Sequence, residues 1–418
     1  MNNTTFSKFA IDNASILFLA QIRKDHTNSF RFSMTLTENI SPETLQLAVD
    51  RVYRRFPTVI AGFYPGFFHY FQIPAKMPPQ VMQDTGCLRT MTKKELRECA
   101  YRVLYKDKKV SIEAFHALTD GYGAIASFTT LVAEYLRLKH GITIPVTNTL
   151  LDLEHSPMLH ELEDSFLDYD NDDPKRMPSR YAFQLPGRNQ TRDSVKATSY
   201  VISTNRMLDC AHRYGVTINT LLSTVMASSV MDLQEQQDPK KMRPVRIMVP
   251  VNLRRIFPSR TLRNFSYYTL PTMEPHEKSK SISELLINFS KQIQEQIKEN
   301  QMASIITNNV KLQNSWYFKM IPLTVKCWLM RFICNFFGEV TSSITVTNLG
   351  NVTLPESMQQ FITHMDVTLT PRIRSPYGCA ILSYNGQLSI NVSRFPEKAE
   401  LDQIFYSKLT KILEEETP

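Results

Sequence analysis

Residues 110–123, VSIEAFHALTDGYG, are the stretch on which the fold of this chain depends. Apolar and polar side chains alternate over its first half, which predicts a strand. Asp120 and the glycines after it are turn residues, and apolar side chains then recur at helical spacing up to a stop signal at Gly141. We therefore expect His116 at the end of a rigid strand, with a helix starting shortly behind it.

A histidine in this position has two interpretations. It is either a hydrogen-bonded residue of the packed interior or a base that takes a proton from a hydroxyl, since imidazole titrates near neutral pH. Asp120 lies too far along the turn to reach the same substrate as His116. Its carboxylate would instead fix the loop by pairing with a basic residue elsewhere in the chain.

The six residues from His116 to Gly121 resemble the H-x-x-x-D-G signature of the chloramphenicol-acetyltransferase-like superfamily. That group includes condensation domains of nonribosomal peptide synthesis and alcohol acyltransferases. The longer run 115–124 is similar to its bacterial alcohol-acetyltransferase branch, as is the segment 163–166. Many relatives have a second histidine where this chain has Phe115. The residue that matches the family's catalytic histidine is His116, so this departure should leave the chemistry intact.

A second segment adds to the resemblance. A predicted strand runs into a basic turn at 252–255, and another strand is predicted to begin within 262–268. This arrangement is similar to the condensation-domain segment with a structural arginine ahead of an Arg-Asn-Phe entry to a strand. By that resemblance Arg254 is the ion-pair partner of Asp120, whereas the residues alone suggest a solvated arginine on a turn. The rival candidates are Arg255 and Arg246.

The predicted strand 342–350 ends in Asn-Leu-Gly and resembles the segment that lines the groove between the lobes in condensation-like proteins. The resemblance implies that Gly121 leaves room for the pantetheine arm of a thioester. The residues expected to line the channel are Asn264, Ser266, Thr345 and Asn348. A tetrahedral intermediate needs an oxyanion donor, and the last three of these are the candidates.

Composition narrows the class of protein. The 418 residues are 42% hydrophobic and 21% charged, which is typical of a globular protein of two lobes or two to three domains. The net charge is +8, but the basic residues are dispersed, so nucleic-acid binding is not indicated. A modest positive field suits a phosphate-bearing donor such as coenzyme A, or an anionic membrane surface.

Cysteine and histidine spacing argues against a metal site. The six cysteines include no C-x-x-C pair, which disfavours both a zinc site and a disulfide scaffold. His155 and His160 are five residues apart and would not share a helix face. Residues 1–11 are polar, so we expect no signal peptide and a cytoplasmic location.

The apolar segment 316–337 permits several interpretations. Lys319, Pro322, Lys326 and Arg331 interrupt it, so it is not a transmembrane helix. It is a core helix, the lining of an acyl or alcohol channel, or a peripheral contact with a membrane that supplies an apolar substrate.

The sequence therefore predicts an α/β fold of two chloramphenicol-acetyltransferase-like lobes, mixed sheets flanked by helices, with an active-site channel between them. An acidic, proline-containing stretch separates the lobes, giving an N-terminal lobe at 1–165, a connection at 166–190 and a C-terminal lobe at 191–418. The expected activity is acyl transfer, most simply of acetyl, from acyl-CoA to an alcohol. His116 is the base, and no cofactor is permanently bound.

Three alternatives remain open from the sequence. A condensation-type enzyme would take its acyl group from a carrier protein instead of free coenzyme A. A binding or scaffold protein could carry the signature without catalysis. A nucleic-acid binder is the weakest of the three.

Overall fold

Short β-hairpins backed by helices build the fold, which we describe from a computed structural model. The structure describes residues 8–12, 14–24, 26–86, 88–169, 181–187, 195–335, 339–396 and 398–415. The strands are β1 (Phe9–Ala10), β2 (Ser29–Leu36), β3 (Ala61–Pro65), β4 (Tyr70–Pro74), β5 (Val81–Gln83), β6 (Tyr101–Lys106), β7 (Lys109–Phe115), β8 (Lys196–Ser203), β9 (Val245–Asn252), β10 (Ser266–Thr269), β11 (Thr272–Met273), β12 (Ile344–Asn351), β13 (Ile362–Leu369), β14 (Tyr377–Tyr384) and β15 (Gln387–Arg394). The helices are α1 (Ser15–Ala20), α2 (Pro42–Val52), α3 (Lys93–Glu98), α4 (Gly121–His140), α5 (Leu159–Leu162), α6 (Thr204–Arg213), α7 (Ile218–Gln237), α8 (Ile282–Gln296), α9 (Glu299–Asn314), α10 (Trp316–Met320), α11 (Leu323–Ile333), α12 (Glu356–Gln359) and α13 (Glu400–Glu414).

The first lobe is built on a five-stranded sheet in the order β13-β2-β7-β6-β5. Residues 101–105 and 110–115, on either side of a basic turn at 106–109, predict a hairpin, and β6 and β7 form it with Asp107 at a φ of 51° in the turn. Helices α2 and α4 pack against each other over the core of this lobe. Ser41 followed by Pro42 predicts a helix start, and α2 begins there: the Ser41 hydroxyl accepts the N–H of Thr44, and Pro42 is the first helical residue. A separate small sheet, β1-β4-β3, lies in the same half of the chain.

The second lobe is built on a seven-stranded sheet in the order β10-β9-β12-β14-β15-β8, with β11 also paired to β9. Its strands are mixed, because β12 runs parallel to both β9 and β14 while the other pairs are antiparallel. Helices α7 and α13 pack together against it. The pair Asn385-Gly386 predicts a tight hairpin turn between two strands, and both residues have positive φ values, 47° and 73°, where β14 turns into β15.

One strand of the C-terminal half belongs to the first sheet. Strand β13 lies within the segment 191–418, which chain order assigned to the C-terminal lobe, yet it pairs antiparallel with β2. Side chains of β15 bind its backbone: Asn391 Nδ2 donates to the Val367 carbonyl at 2.8 Å, and Ser389 Oγ donates to that of Met365 at 3.0 Å. The lobes therefore share a strand, which chain order could not reveal because strand pairing does not depend on sequence distance.

Several element boundaries differ from the prediction. Apolar side chains at helical spacing predict one helix over 281–301, but α8 ends at Gln296 and α9 begins at Glu299. The strand predicted to begin within 262–268 starts at Ser266. The apolar segment from 316 forms two short helices, α10 and α11, whose aromatic side chains are largely exposed, so a simple core helix is the wrong interpretation. Parts of the predicted connection 166–190, namely 170–180 and 188–190, fall outside the described residues.

The lengths and compositions of the helices bear on whether the chain could span a membrane. Within the described ranges, no single helix is long and apolar enough to cross a bilayer. Helices α6 and α7 meet the criterion only when they are taken together, and they bend by 81° at the break between them.

Candidate active site

His116 lies directly after β7, where the chain leaves the five-stranded sheet. Its backbone N–H donates to the carbonyl of Asn28 at 2.8 Å, which holds the residue beside β2. The imidazole stacks on the ring of Phe18 in α1, with centroids 4.5 Å apart, and Phe30 of β2 meets it edge-on at 5.1 Å. Two aromatic rings on different elements therefore fix the plane of the imidazole.

The environment of His116 favours the neutral imidazole. Burial lowers the pKa of His116 below its usual 6.5, and it outweighs the opposing effects of the residue's own backbone, of Asp120 and of Asn264. Within the described part of the chain, Nδ1 is buried without a hydrogen-bond partner of ordinary geometry. The ring can therefore accept a proton at neutral pH.

Asp120 joins the two lobes through its carboxylate. Oδ1 accepts the N–H groups of Tyr122 at 3.1 Å and Gly123 at 3.4 Å, so the residue is the N-cap of α4. Oδ2 accepts the N–H of Phe265 at 2.8 Å and a proton of Arg254 Nη1 at 2.7 Å. One oxygen thus starts the helix behind His116, and the other holds the second lobe.

The ion pair expected between Arg254 and Asp120 is present, and both side chains are only 6% exposed. Arg254 uses its other protons on backbone carbonyls: Nη2 donates to Arg263 at 2.7 Å and to Thr261 at 2.8 Å. Its guanidinium also lies 4.7 Å from the ring centroid of Tyr122. A buried charge with this many partners is a fixed part of the lobe–lobe contact.

The two rival arginines lie elsewhere. Arg246 is buried in β9, and its Nε donates to Thr272 Oγ1 at 3.2 Å within the second sheet. Arg255 is exposed, and its guanidinium lies beside Gly350.

Two glycines at the start of α4 have different surroundings. A Cβ on Gly121 would overlap the Cδ2 of Leu349, the end of a flexible side chain. A Cβ on Gly123 would overlap the backbone carbonyl oxygen of Leu262 and the Oγ1 of Thr119. These last two atoms are hydrogen-bonded to each other at 2.6 Å. Gly123, which the sequence analysis did not single out, therefore lets the second lobe approach the helix closely.

A cavity of about 1540 Å³ lies between the lobes, and His116 is in its wall. The other predicted site residues in the wall are Asp120, Gly121, Asn264, Ser266, Thr345 and Asn348. Arg254 lies behind the wall and is not one of the lining residues. The structure thus brings the predicted residues together from both lobes.

The polar side chains that line the cavity differ in the hydrogen bonds that they make within the protein. The amide of Asn264 donates to Asp12 Oδ2 at 3.3 Å, and the side-chain oxygen of Asn348 accepts the N–H of the glycine two residues on at 2.9 Å. The hydroxyl of Thr345 is directed to a methionine sulfur 3.7 Å away. Ser266 contributes a further hydroxyl. Asn264, Ser266 and Asn348 bring an amide or a hydroxyl to the cavity, whereas the single hydroxyl proton of Thr345 is directed at the sulfur.

The N-terminal segment is a part of the site that the sequence analysis missed. Asp12 is fully buried and accepts the N–H of Ser15 at 2.7 Å, while the Ser15 hydroxyl donates to the carbonyl of Ala117 at 2.7 Å. Helix α1 then presents Phe18 to the imidazole. An Asp-x-x-Ser pair before an apolar run is a helix-start signal, so the helix was detectable, although its position beside His116 was not.

Two arginines give the cavity wall a positive charge. Arg255 lines it, and so does Arg372, whose Nη2 donates to Ser342 Oγ at 2.7 Å. The Nε of Arg372 is buried without a hydrogen-bond partner among the described residues. Such groups are suited to an anionic substrate.

Solved structures of other proteins resemble this fold, although no sequence comparison finds a relative. The chain matches no family model and no curated protein sequence. It is similar in structure to polyketide synthase associated protein 5 from Mycobacterium tuberculosis, with a TM-score of 0.63 and 12% identity over 98% of this chain and 99% of that one. A trichothecene 15-O-acetyltransferase from Fusarium sporotrichioides has a TM-score of 0.59 and 10% identity over 99% and 98%. The starter condensation domain of rhizomide synthetase, a mutant in complex with C8-CoA and Leu-SNAC, has a TM-score of 0.57 and 12% identity over 97% and 93%.

These similarities extend over nearly the whole of both chains. The chain therefore has the two-lobed fold of these proteins, which include a condensation domain and an O-acetyltransferase, and the predicted fold class is confirmed.

Proposed function

We propose that this protein is an acyl-CoA-dependent O-acyltransferase that moves a short acyl group, most simply acetyl, to an alcohol. The observation that carries the proposal is the position of His116: a neutral imidazole, held between two aromatic rings, in the wall of a cavity between the lobes. The fold supports acyl transfer in general, and the choice of acetyl follows the resemblance of residues 115–124 to alcohol acetyltransferases.

The proposed reaction is a direct transfer. His116 takes the proton of the acceptor alcohol while the alcohol oxygen attacks the thioester carbonyl carbon. This attack gives a tetrahedral intermediate. The carbon–sulfur bond then breaks, and the imidazolium returns the proton to the leaving thiolate. No serine or cysteine of the sequence lies in a nucleophile-elbow motif, so we propose no acyl-enzyme. A positioned base contributes about 10²–10⁴-fold in rate, or roughly 3–5 kcal/mol of barrier.

The remaining residues hold this arrangement. Asp120 and Arg254 would position the start of α4 and the second lobe, and Gly121 would leave room for the pantetheine arm. The oxyanion of the tetrahedral intermediate needs a donor, and Ser266, Thr345 and Asn348 line the same cavity. A hydroxyl or amide within reach of the thioester carbonyl would supply this donor.

The donor is proposed to be free coenzyme A thioester, a co-substrate that leaves after each turnover. Arg255 and Arg372 in the cavity wall support this choice because they would bind its phosphates. We propose no resident cofactor, no nucleic-acid partner and a cytoplasmic location. A carrier protein bearing the same phosphopantetheine thioester is the alternative donor, since the reacting end of both donors is identical.

The experiment is a thiol-release assay with acyl-CoAs from acetyl to octanoyl and a panel of alcohols, comparing the wild type with His116→Ala. We expect release that depends on the alcohol, prefers short acyl chains, and falls by about 10²–10⁴-fold in the variant. Transfer from an acylated carrier protein but not from any acyl-CoA would establish the alternative donor. Binding of substrates without turnover by the folded wild type would indicate a catalytically silent member of the superfamily.

A further inference from the structure

The two short helices α10 and α11 expose an aromatic face. Trp316 and Trp328, the two tryptophans of the chain, are 77% and 67% exposed. The rest of this face, which we call the aromatic face, consists of Tyr317, Met320, Val325 and Phe332. Exposed large side chains are common one at a time, but six of them within residues 316–332 mark a surface that contacts something other than water.

Helix α11 buries a lysine and exposes several large apolar side chains. Its inward side includes Lys326, which is fully buried: Nζ donates to the carbonyl of Phe68 at 3.0 Å and lies 4.8 Å from the ring centroid of Phe318. Its outward side carries Val325, Trp328 and Phe332 at helical spacing. A surface helix normally turns its large apolar side chains inward, so these three would be unfavourably placed if they met only water.

Charge narrows the kind of partner. Residues 316–333 contain Lys319, Lys326 and Arg331 and no acidic residue, and both Lys319 and Arg331 are exposed. Two copies of this chain meeting through the aromatic face would bring like charges together. Tryptophan and other aromatic residues mixed with basic ones are typical of segments at the interface of a lipid bilayer, and the sign of the charge favours anionic lipids.

The aromatic face is continuous with the cavity. Helix α11 packs on α1, and Arg331 Nε donates to the carbonyl of Ala20 at 2.9 Å. Helix α1 in turn gives Leu17 and Phe18 to the cavity wall, and Cys334 at the end of α11 lines the same space. A partner bound to the aromatic face would therefore lie beside the cavity.

We propose that the aromatic face binds the interface of an anionic lipid bilayer. Trp316, Trp328 and Phe332 would enter the boundary between headgroups and acyl chains, while Lys319 would contact lipid phosphates. The protein would lie on the membrane without crossing it. This inference does not depend on the transfer reaction, since its test measures binding alone.

The test measures co-sedimentation of the full chain with vesicles of phosphatidylcholine, with and without phosphatidylserine, and the tryptophan emission of the same samples. We expect binding to the phosphatidylserine vesicles, with emission shifted to shorter wavelength because both tryptophans leave water. Phe332→Ser should weaken that binding by roughly tenfold, and Lys319→Gln by roughly fivefold. Both variants keep the two tryptophans as reporters.

The matched control is Ile287→Ser on α8, which removes an apolar side chain that is 63% exposed outside the aromatic face. It should bind vesicles as the wild type does, and the thermal unfolding of all variants should match the wild type because the changed residues are at the surface. Three results would overturn the proposal: wild-type protein that sediments with neither vesicle, Ile287→Ser weakened as much as Phe332→Ser, or a lipid-free dimer that already shields the tryptophans. Equal binding to neutral and anionic vesicles would refute the role of charge.

Discussion

Arg254 Nη1 lies 2.7 Å from Asp120 Oδ2, and this ion pair connects the second lobe to the first residue of the turn that caps α4. His116 precedes that cap by four residues, so the position of the imidazole and the contact between the lobes depend on the same carboxylate. A disturbance of this pair is therefore expected to change both stability and activity.

The first prediction concerns the stability of this pair. Asp120→Asn and Arg254→Gln each leave a buried charge without its partner, and we expect each to lower the free energy of unfolding by about 3–5 kcal/mol. Urea denaturation of the two variants measures the effect. The exposed pair Lys94–Glu98, at 3.9 Å, supplies the control, because Lys94→Gln should change stability little. Losses of similar size at the two sites would show that burial of the Arg254–Asp120 pair does not matter.

The second prediction concerns the pH dependence of the proposed reaction. The base must be neutral, and burial lowers the pKa of His116 below 6.5. Consequently the acid limb of kcat/KM, where the imidazole becomes protonated, should be centred below pH 6.5. Initial rates across a pH series measure this profile. An acid limb centred above 6.5 would contradict the effect of burial, and His116→Ala should lack the limb altogether.

The third prediction compares two neighbouring glycines. In Gly123→Ala the new methyl group would overlap the backbone carbonyl of Leu262, which cannot move freely, so we expect a loss of about 1–3 kcal/mol in unfolding free energy. In Gly121→Ala the neighbour is the movable end of Leu349, so stability should be nearly unchanged while KM for the thioester rises. Urea denaturation and initial-rate kinetics of both variants measure the difference. Equal destabilisation would mean that the two positions are similarly constrained.

The fourth prediction concerns the ring that stacks on the imidazole. Phe18→Ala removes the stacking contact and admits water to His116, so kcat should fall by roughly 2–10-fold and the acid limb should move up toward pH 6.5. Phe18→Leu keeps most of the burial without the stacking, and should lower kcat while leaving the acid limb in place. The pH profiles of the two variants separate orientation from burial, and an unshifted limb in Phe18→Ala would refute the contribution of burial.

Local sequence signals predicted a large part of the fold. The strand ending at His116, the turn at Asp120, the stop at Gly141 and the tight turn at Asn385 are all present. Each depends on hydrogen bonds and backbone angles within a few residues, so periodicity and residue type are enough to identify it. The boundary that failed, the break between α8 and α9, lies where contacts with other elements decide how far a helix extends.

The site is predicted less completely by the same signals. The residues alone gave no reason to choose Arg254 over two other arginines, and the resemblance supplied that choice. Asp12 and Phe18 were not identified, because nothing near them in the chain indicates that they meet His116. The sequence also did not indicate that Trp328 faces outward, since an apolar helix has the same sequence pattern whether other elements cover it or not.

The sequence by itself determined the strand, histidine, turn and helix, because those elements are stabilised by contacts a few residues apart. Only the tertiary structure decided which residues share the cavity, since the Ser15 hydroxyl reaches a carbonyl 102 residues away and Arg254 reaches a carboxylate 134 residues away. Contacts at such distances depend on how the two lobes pack and on the pairing of β13 with the sheet of the first lobe. No periodic pattern along the chain specifies that packing.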